Sequence, residues 1–350
     1  MYKGGIVVKR LLNTLYVTTL ETYLALGGEN IVVLLGDKEK LRLPLHTLES
    51  VAYFGYKGAS PALMGACAKK GIRMSFFTPG NRFLAVVTGN KNGNALLKRK
   101  QYRMTDDPTA SAMIARSFVL AKIHNSRWIL ERATRDHSMR IDVAAVKESC
   151  AILAKQLRDC AQCVDLESLR GIEGSAAERY FSHFNDLILT DEAHFRFGGR
   201  NRRPPTDRMN ALLSFLYALL GSLCASALSE TGLDPYVGFL HCDRPGRTSL
   251  ALDLMEEFRG ILADRLALTL VNTQVLKASD FDCKENGAVL LKDNARKTVI
   301  GEWQKKKQES ITHPYLKEKI PWGLAPYTQA LLLARYLRGD LDAYPPFLWK

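Results

Sequence analysis

The stretch TGLDPYVGFLHCDRPGRTSLALDLMEEFRG, residues 231–260, combines a histidine, a cluster of carboxylates and several arginines. His241 follows the apolar run, and a helix is predicted over 249–258. Because residues three or four apart share one face of a helix, we expect Asp253 to lie beside Glu256. A histidine brought by a loop to a helix that bears carboxylates is a candidate site for a divalent metal ion.

Helical spacing dominates most of the chain. Apolar residues recur every three or four positions from residue 110 onward, which is typical of helices with one buried face. The predicted helices cover residues 110–135, 143–161, 168–187, 210–229, 250–276, 297–310 and 326–339. The helix over 210–229 is apolar on nearly every face, which predicts a position in the protein core.

The beginning of the chain has a different pattern. Residues 1–90 contain short β-branched and aromatic runs separated by Gly, Asn and Pro, which predicts strands. One helix is predicted among them, beginning after Ser60 and ending before Gly71. Strands followed by helices predict an α+β fold of two domains. We assign residues 1–90 to a β-sandwich-like N-terminal domain, 91–108 to a linker that runs into the next helix, and 109–350 to a larger all-α C-terminal domain.

Positive charge is the main signal in the composition, since 49 Lys and Arg residues against 36 Asp and Glu residues give a net charge of +13. This excess favours nucleic acid as the partner over a membrane surface, because no polybasic run lies beside a long apolar segment. We find no apolar run of the ~18–20 residues that a membrane span needs, and no secretory signal. The seven cysteines are scattered and suggest no disulfide framework. We therefore expect a cytoplasmic protein without membrane association.

Arginine is concentrated in the segment FRFGGRNRRPPTDRMN, residues 195–210. Its Gly-Gly and Pro-Pro pairs cannot pack into a core, so the segment is expected to face solvent or an anion. The planar guanidinium group suits phosphate oxygens, which favours contact with DNA or RNA over a merely solvated surface. The residues expected to bind DNA are Lys122, Arg127, Arg200, Arg202, Arg203, Arg208, Arg244 and Arg247.

Glu173 lies between two glycines in the sequence GIEG, residues 171–174, before a further helical pattern. This predicts a position at or near a helix N-terminus or on a tight helical turn, where the carboxylate complements the helix dipole or serves as a metal ligand. His241 has two interpretations as well, since a lone histidine is commonly structural. Structural zinc is disfavoured, because Cys160 and Cys163 have no second pair at finger spacing. Carboxylates with one imidazole favour Mg²⁺ or Mn²⁺.

Five segments, in their order along the chain, resemble the motifs of one known family. They are KIHNSRWIL (122–130), GIEGSAAERYF (171–181), RNRRPPTDRMNALLSFLYALL (200–220), GLDPYVGFLHCDRPGRTSLALDLMEEFRGILADR (232–265) and DF (280–281). The family is the CRISPR-associated integrase/endonuclease of spacer acquisition, the "Cas-one" family. The resemblance covers nearly the whole chain, because the β-rich front is similar in kind to the N-terminal β domain of the family.

The resemblance implies a metal site of one glutamate, one histidine and one further acidic residue. On the matching motifs these are Glu173, His241 and Glu256, with Mg²⁺ or Mn²⁺ as the ion. Asp253 is also frequently acidic in the family, and the resemblance implies that it assists or binds the ion through water. Glu257 stands where the family commonly has proline, which adds a spare carboxylate beside the third ligand.

The resemblance also implies a reaction and partners. A DNA 3′-hydroxyl attacks a phosphodiester at the border of the CRISPR array and inserts a short DNA fragment by transesterification, and water in its place gives nuclease activity. The implied partners are double- and single-stranded DNA (prespacer and CRISPR repeat), a second copy of the chain, and a small ferredoxin-like acquisition protein in a heterohexamer. The chain resembles the standalone form common in type I systems. Two other functions stay open: a non-catalytic architectural subunit and a plain metal-dependent nuclease.

Overall fold

A computed structural model describes residues 13–79, 83–89, 95–190, 193–201 and 204–350. The chain forms two compact units. The first unit comprises Met1–Asn92, Ile300–Ser310 and Pro321–Leu324, and the second comprises Gly93–Val299, Ile311–Ile320 and Ala325–Lys350. The first unit therefore takes two short segments from the stretch that the sequence assigns to the C-terminal domain. Patterning along the chain cannot reveal such a return, because it depends on contacts between distant residues.

Strands dominate the first unit. They are β1 Asn13–Val17, β2 Thr22–Gly27, β3 Asn30–Leu35, β4 Lys38–Pro44, β5 Leu48–Phe54, β6 Arg73–Phe77 and β7 Phe83–Val87. A four-stranded sheet has the order β1-β5-β6-β7, in which β1, β5 and β6 run parallel and β7 runs antiparallel to β6. The strands β2, β3 and β4 form a three-stranded antiparallel sheet.

Both sheets and the helix α1, Pro61–Lys70, contribute to one hydrophobic cluster. Leu24 and Ile31 of the smaller sheet are buried in the same cluster as Val51 of the larger sheet. The sandwich-like N-terminal domain predicted from the sequence is thus confirmed. The ends of α1 are also as predicted, since Ser60 Oγ accepts a hydrogen bond from the Leu63 amide at 3.2 Å and the residue after the helix, a glycine, has a φ of 73°.

Helices dominate the second unit, and one of them, Asp293–Gln308, continues into the first unit. They are α2 Ala95–Asp106, α3 Pro108–Asp136, α4 Val143–Gln162, α5 Leu166–Ser182, α6 Arg208–Glu230, α7 Ser249–Glu256, α8 Arg265–Asn272, α9 Asp293–Gln308 and α10 Ala325–Arg338. An aspartate precedes each of α3, α4, α5 and α6, and its carboxylate accepts a backbone amide of the first turn. These N-caps satisfy amides that have no partner within the helix, and so fix where the four helices begin.

Two features add detail to the predicted domains. The segment predicted as a linker that runs into a helix is largely the helix α2, which buries Leu97 and also the polar Gln101. A polar residue at a buried position weakens the apolar spacing that reveals a helix in sequence. The predicted all-α domain also contains short strands, because β8 Phe281–Cys283 pairs with β9 Val289–Leu291. The strands β10 Ser310–Thr312 and β11 Lys319–Pro321 form another two-stranded sheet.

The helix α6 is the central apolar element of the second unit. It is long and apolar enough to cross a membrane, so the expectation that no stretch of the chain reaches that length is wrong. However, 72% of its most apolar window is buried inside the protein. The helix therefore serves as a core element here, as its all-round apolar pattern predicts.

The helix predicted over 250–276 is interrupted. The helix α7 ends at Glu256, and a π-helical turn, Arg259–Asp264, precedes α8. Such turns are rare and occur frequently at functional sites, because the extra residue redirects side chains. Here the turn brings Arg259 to 4.8 Å from the ring centroid of Tyr217, and the Tyr217 hydroxyl donates to Asp264 Oδ1 at 2.6 Å.

Candidate active site

Glu173 comes from the interior of α5, about two turns after the N-cap at Asp165. Of the two positions predicted for this glutamate, a helix N-terminus or a tight helical turn, the structure excludes the first. The helix begins earlier because Asp165 caps it. Close packing does not require the two flanking glycines, since a Cβ atom added at Gly171 or Gly174 would meet nothing within 4 Å. The dipole of the helix cannot explain Glu173, since its effect fades within the first turn. The side chain is 25% exposed and lines a cavity.

Backbone hydrogen bonds hold the loop before His241 against α7. The amides of Phe239 and Leu240 donate to Asp253 Oδ2 at 2.6 and 3.0 Å. The amide of His241 donates to Asp253 Oδ1 at 3.0 Å. Gly238 permits this close approach, because a Cβ atom there would lie 2.9 Å from Asp253 Oδ2. The buried carboxylate thus shapes the loop that delivers the histidine.

The helix α2 anchors the same loop from the other side. Gln101 Nε2 donates to the carbonyl oxygens of Asp234 and Val237 at 2.9 and 2.8 Å. Gln101 Oε1 accepts the Asp234 amide at 2.9 Å, and the Tyr102 hydroxyl donates to Asp234 Oδ2 at 2.7 Å. The segment predicted as a linker therefore positions the His241 loop, a role for which the sequence gives no signal.

Asp253 Oδ1 also accepts a hydrogen bond from His241 Nδ1 at 2.7 Å. An ionised carboxylate can only accept, so Nδ1 carries a proton and Nε2 of the neutral ring keeps its lone pair. That Nε2 lies 4.0 Å from Glu256 Oε1. Asp253 is fully buried and both its oxygens are engaged. Of the two roles that the resemblance implies for Asp253, these contacts favour assistance through His241 over binding of the ion through water.

Glu256 and Glu173 meet at the ammonium group of Lys122. Lys122 Nζ lies 2.8 Å from Glu256 Oε2 and forms an ion pair with Glu173 Oε1. The guanidinium of Arg259 lies 2.7 Å from the other oxygen of Glu256. Burial opposes the ionisation of Glu256, but the positive charges around it, Arg259 foremost, outweigh burial and hold its pKa at about 2. Glu256 is therefore an ionised carboxylate at neutral pH.

Glu257 turns away from this cluster into the core. Gln329 Nε2 donates to its Oε2 at 2.8 Å, and the Tyr344 hydroxyl lies 3.0 Å from its Oε1. Burial raises the pKa of Glu257 to about 8, so the carboxyl group is largely protonated at pH 7. The spare carboxylate expected beside the third ligand is therefore a neutral core residue.

Some of the arginines expected to bind DNA are held by the protein itself. Arg200 donates to Asn210 Oδ1 at 2.5 Å. Arg208 donates through Nη1 to a backbone carbonyl at 3.2 Å. Arg127 pairs with Glu131 at 2.9 Å on the same helix. These contacts give each of them a structural role that the charge pattern does not reveal.

Other predicted DNA ligands have different surroundings. Arg244 is exposed and Arg247 lines the cavity, and neither side chain has a hydrogen bond or ion pair within the part of the chain that the structure describes. Arg202 and Arg203 lie outside the described residues. Lys122 faces the two glutamates, and its side chain is only 11% exposed. Arg244 and Arg247 are therefore the described arginines best placed to meet a phosphate.

The cluster opens into a cavity of about 610 Å³. Its lining includes the carboxylate, imidazole and ammonium groups just described. It also includes Phe181 and Phe197, whose rings stack with centroids 5.6 Å apart. Cavities of this size are typical of small-molecule sites.

The three predicted ligands share this cavity without forming a ready-made metal site. Within the described ranges, no group of three or more His, Cys, Asp and Glu side chains has the spacing of one. The chemistry of the donors nevertheless fits Mg²⁺ or Mn²⁺, since two carboxylates and an imidazole nitrogen face one region. The protein itself places a cation there, the ammonium of Lys122, which acts as a stand-in for a metal ion.

Sequence reasoning gives no role to Tyr217 or Asp264. Two guanidinium groups contact the Tyr217 ring, that of Arg200 at 5.0 Å and that of Arg259 at 4.8 Å from the ring centroid. Because Arg259 contacts Glu256, this stack supports the geometry of the site. The spacing of Arg259, three residues after Glu256, suits this ion pair. Tyr217 lies in an apolar helix, where nothing distinguishes it from its neighbours.

Solved structures share the fold. A chain described as a casposase bound to integration product superposes with a TM-score of 0.82 at 21% identity, covering 96% of this chain and 93% of that one. A CAS1 protein from Thermotoga maritima superposes with a TM-score of 0.80 at 23% identity, covering 95% of this chain and 99% of that one. These likenesses confirm the mixed α+β architecture.

Sequence comparison identifies the family. The family described as CRISPR associated protein Cas1 matches residues 15–305. The CRISPR-associated endonuclease Cas1 1 of Chlorobaculum tepidum is 50% identical over 343 residues, covering 98% of this chain and all of that one. The CRISPR-associated endonuclease Cas1 2 of Rhodospirillum rubrum is 52% identical over 347 residues with the same coverage. The chain therefore belongs to the Cas1 family, which confirms the resemblance seen in its motifs.

Proposed function

We propose that this chain is a metal-dependent DNA endonuclease and integrase of CRISPR adaptation. The observation that carries the proposal is the convergence of Glu173, His241 and Glu256 on one cavity of a Cas1-family chain. In the reaction, a DNA 3′-hydroxyl attacks a phosphodiester of the CRISPR array, so that one phosphodiester replaces another and no ATP is needed. Attack by water at the same phosphate gives the nuclease activity.

A divalent ion, Mg²⁺ or Mn²⁺, would be held by Glu173, His241 and Glu256. The hydrogen bond to Asp253 leaves His241 Nε2 able to act as a ligand, and the pKa of about 2 keeps Glu256 ionised. When bound, the ion supplies Lewis acidity at the scissile phosphate and stabilises the negative charge that develops there.

The other residues of the site bind and orient DNA. Arg247 lines the cavity, and the planar fork of its guanidinium can take two phosphate oxygens. Arg244 lies in the same exposed loop and can hold the adjacent backbone. Arg259 keeps Glu256 in place from the opposite side. Fixing the phosphate against the attacking group in this way lowers the entropy cost of the reaction.

The partners of the chain belong to the same proposal. We infer that it binds double- and single-stranded DNA and forms a homodimer that assembles with a small ferredoxin-like acquisition protein. Support comes from a chain of a Cas6-RT-Cas1–Cas2 complex, of which this chain covers 36% with a TM-score of 0.82 at 24% identity. Action in the cytoplasm as part of a type I system stays a prediction from the sequence.

A strand-transfer assay tests the proposed function. Purified protein, with and without its small partner, is incubated with a short DNA duplex and a supercoiled plasmid that carries a CRISPR array, in Mn²⁺, Mg²⁺ or EDTA. We expect joined products with a divalent ion and none in EDTA. His241→Ala and Glu173→Ala should lower the joining rate by more than about a hundredfold, since even residues behind a metal ligand contribute 10–100-fold.

Glu148→Ala is the matched control, because Glu148 is exposed on the neighbouring helix α4 and has no side-chain partner among the described residues. This variant should join DNA at the wild-type rate. Joining by His241→Ala at the wild-type rate would refute the site. Cleavage without joining, even with the partner present, would instead identify a plain nuclease, and DNA binding without either reaction would identify an architectural subunit.

A further inference from the structure

Lys122 is nearly buried and is paired with two carboxylates, unlike a lysine that only binds DNA from the protein surface. Its side chain leaves α3 between Ala121 and Ile123, both of which are fully buried, so the helix backbone is fixed. The ammonium reaches Glu173 and Glu256 together, and Glu256 is almost fully buried. A single positive charge thus bridges the two carboxylates that are proposed to hold the metal ion.

The ammonium and a divalent ion cannot share these two carboxylates. Mg²⁺ and Mn²⁺ bind carboxylate oxygens at about 2.0–2.2 Å, so the ion needs the same oxygen lone pairs and the same space. A divalent ion within about 4 Å of an ammonium would also be repelled by several kcal/mol at the effective dielectric of a partly buried site. One cation must therefore leave when the other binds.

Lys122 has room to leave. It lines the cavity of about 610 Å³, and its flexible four-carbon stem can turn the ammonium into that space without moving the helix. Glu256 keeps its second oxygen paired with Arg259 during the exchange, at 2.7 Å. The exchange thus needs only a change of side-chain rotamer in Lys122.

We propose that the Lys122 ammonium is an internal competitor for the catalytic metal ion, which binds by displacing it from Glu173 and Glu256. This inference rests on the proposed metal site and adds to it a residue that sets the affinity. Lys122 prevents the two carboxylates from repelling each other, and at the same time it weakens the binding of the ion that replaces it. Without this residue the site binds a divalent ion more tightly and the protein depends on that ion for stability.

Calorimetric titration with Mn²⁺ tests the competition on the full chain. We expect Lys122→Met to bind Mn²⁺ about tenfold or more tightly than wild type, which corresponds to at least about 1.4 kcal/mol. Arg132→Met is the matched control: it removes one positive charge from α3 at an exposed ion pair with Asp136 and should leave the Mn²⁺ affinity unchanged. In thermal unfolding, Mn²⁺ should also stabilise Lys122→Met by more degrees than wild type.

The outcomes separate this inference from the proposed function. If wild type binds Mn²⁺ and Lys122→Met binds it equally or more weakly, the competition is refuted and the metal site stands. If neither protein binds Mn²⁺, the proposed metal site itself fails.

A measurement on wild type covers the case in which Lys122→Met does not fold. An amine-reactive acetyl ester, followed by peptide mass spectrometry, should label Lys122 several-fold faster in saturating Mn²⁺, because the released ammonium moves into the open cavity. An unchanged labelling rate while Mn²⁺ is bound overturns the proposal.

Discussion

Asp253 Oδ1 accepts a hydrogen bond from His241 Nδ1 at 2.7 Å, while the amides of residues 239–241 donate to the same carboxylate. The side chain of Asp253 is fully buried, so these bonds replace its hydration. One residue thus fixes both the course of the loop and the side of the imidazole that faces the cavity. Its contribution to the reaction passes through His241.

Asp253→Asn should therefore weaken the site without removing a ligand. The amide NH₂ of asparagine cannot accept, so either a loop amide or His241 Nδ1 loses its acceptor and the imidazole loses its fixed orientation. We expect Mn²⁺ affinity and strand transfer to fall by about 10–100-fold. Titration calorimetry and the joining assay measure the two effects.

Asp159→Asn provides the comparison for Asp253→Asn, since Asp159 is exposed on α4. It should behave as wild type in both measurements. Circular dichroism should show a folded Asp253→Asn protein at the assay temperature. Wild-type Mn²⁺ affinity in that variant would mean that the hydrogen bond to His241 has no functional role.

The contrast between Asp253 and Glu256 shows how much of this site can be predicted from the sequence. Helical spacing places both residues on one face of α7, and both lie there. Only the folded loop distinguishes them. Its amides donate to Asp253, whereas Glu256 pairs with Lys122 and Arg259 and lines the cavity. The motif resemblance selects Glu256 as the ligand, whereas elementary patterning leaves the two carboxylates equivalent.

The same limit applies to the segment expected to be a linker. Its Gly, Asn and basic residues predict a linker that runs into a helix, but they do not predict that the hydrogen bonds of Gln101 to residues 234 and 237 hold that helix, α2. Those partners lie more than 130 positions away in the sequence. Ser60 and Gly71, in contrast, act through neighbours within a few residues, and the ends of α1 are predicted correctly. Local signals are readable in sequence, and buried polar contacts between distant segments are not.

Gln101→Ala should destabilise the protein and misplace His241 together. The change leaves two partly buried carbonyl groups and one amide of the 234–238 loop without their partner, which costs about 1–3 kcal/mol for each unsatisfied group that water cannot reach. We expect a lower unfolding temperature and a slower joining reaction. Lys100→Ala, an exposed change on the same helix, should affect neither property. A Gln101→Ala protein with normal stability would show that the loop is held by other contacts.

The arginines of the site should divide into two groups when DNA binding is measured against salt. Arg247→Met removes a guanidinium that lines the cavity, so binding should weaken and the slope of log K against log salt should fall by about 0.9 for duplex DNA. Arg208→Met removes hydrogen bonds to backbone carbonyls, so it should lower the unfolding temperature and leave the slope unchanged. Fluorescence anisotropy over a series of salt concentrations measures both. An unchanged slope for Arg247→Met would mean that this residue contacts no phosphate.

The buried Lys307 of the first unit should make stability depend on pH. Its Nζ lies 3.3 Å from Thr14 Oγ1, and burial lowers its pKa from 10.5 to about 8. Between these two values the unfolded chain binds more protons than the folded protein, so the free energy of unfolding should rise as the pH increases from 8 to 10.5. Lys307→Met should remove this rise and stabilise the protein at pH 7 by about 1–3 kcal/mol, since no buried charge then needs desolvation. Urea unfolding of the full chain at a series of pH values measures this, with the exposed Lys305→Met as the control. A rise of the same size in wild type and Lys307→Met would assign the pH dependence to another group.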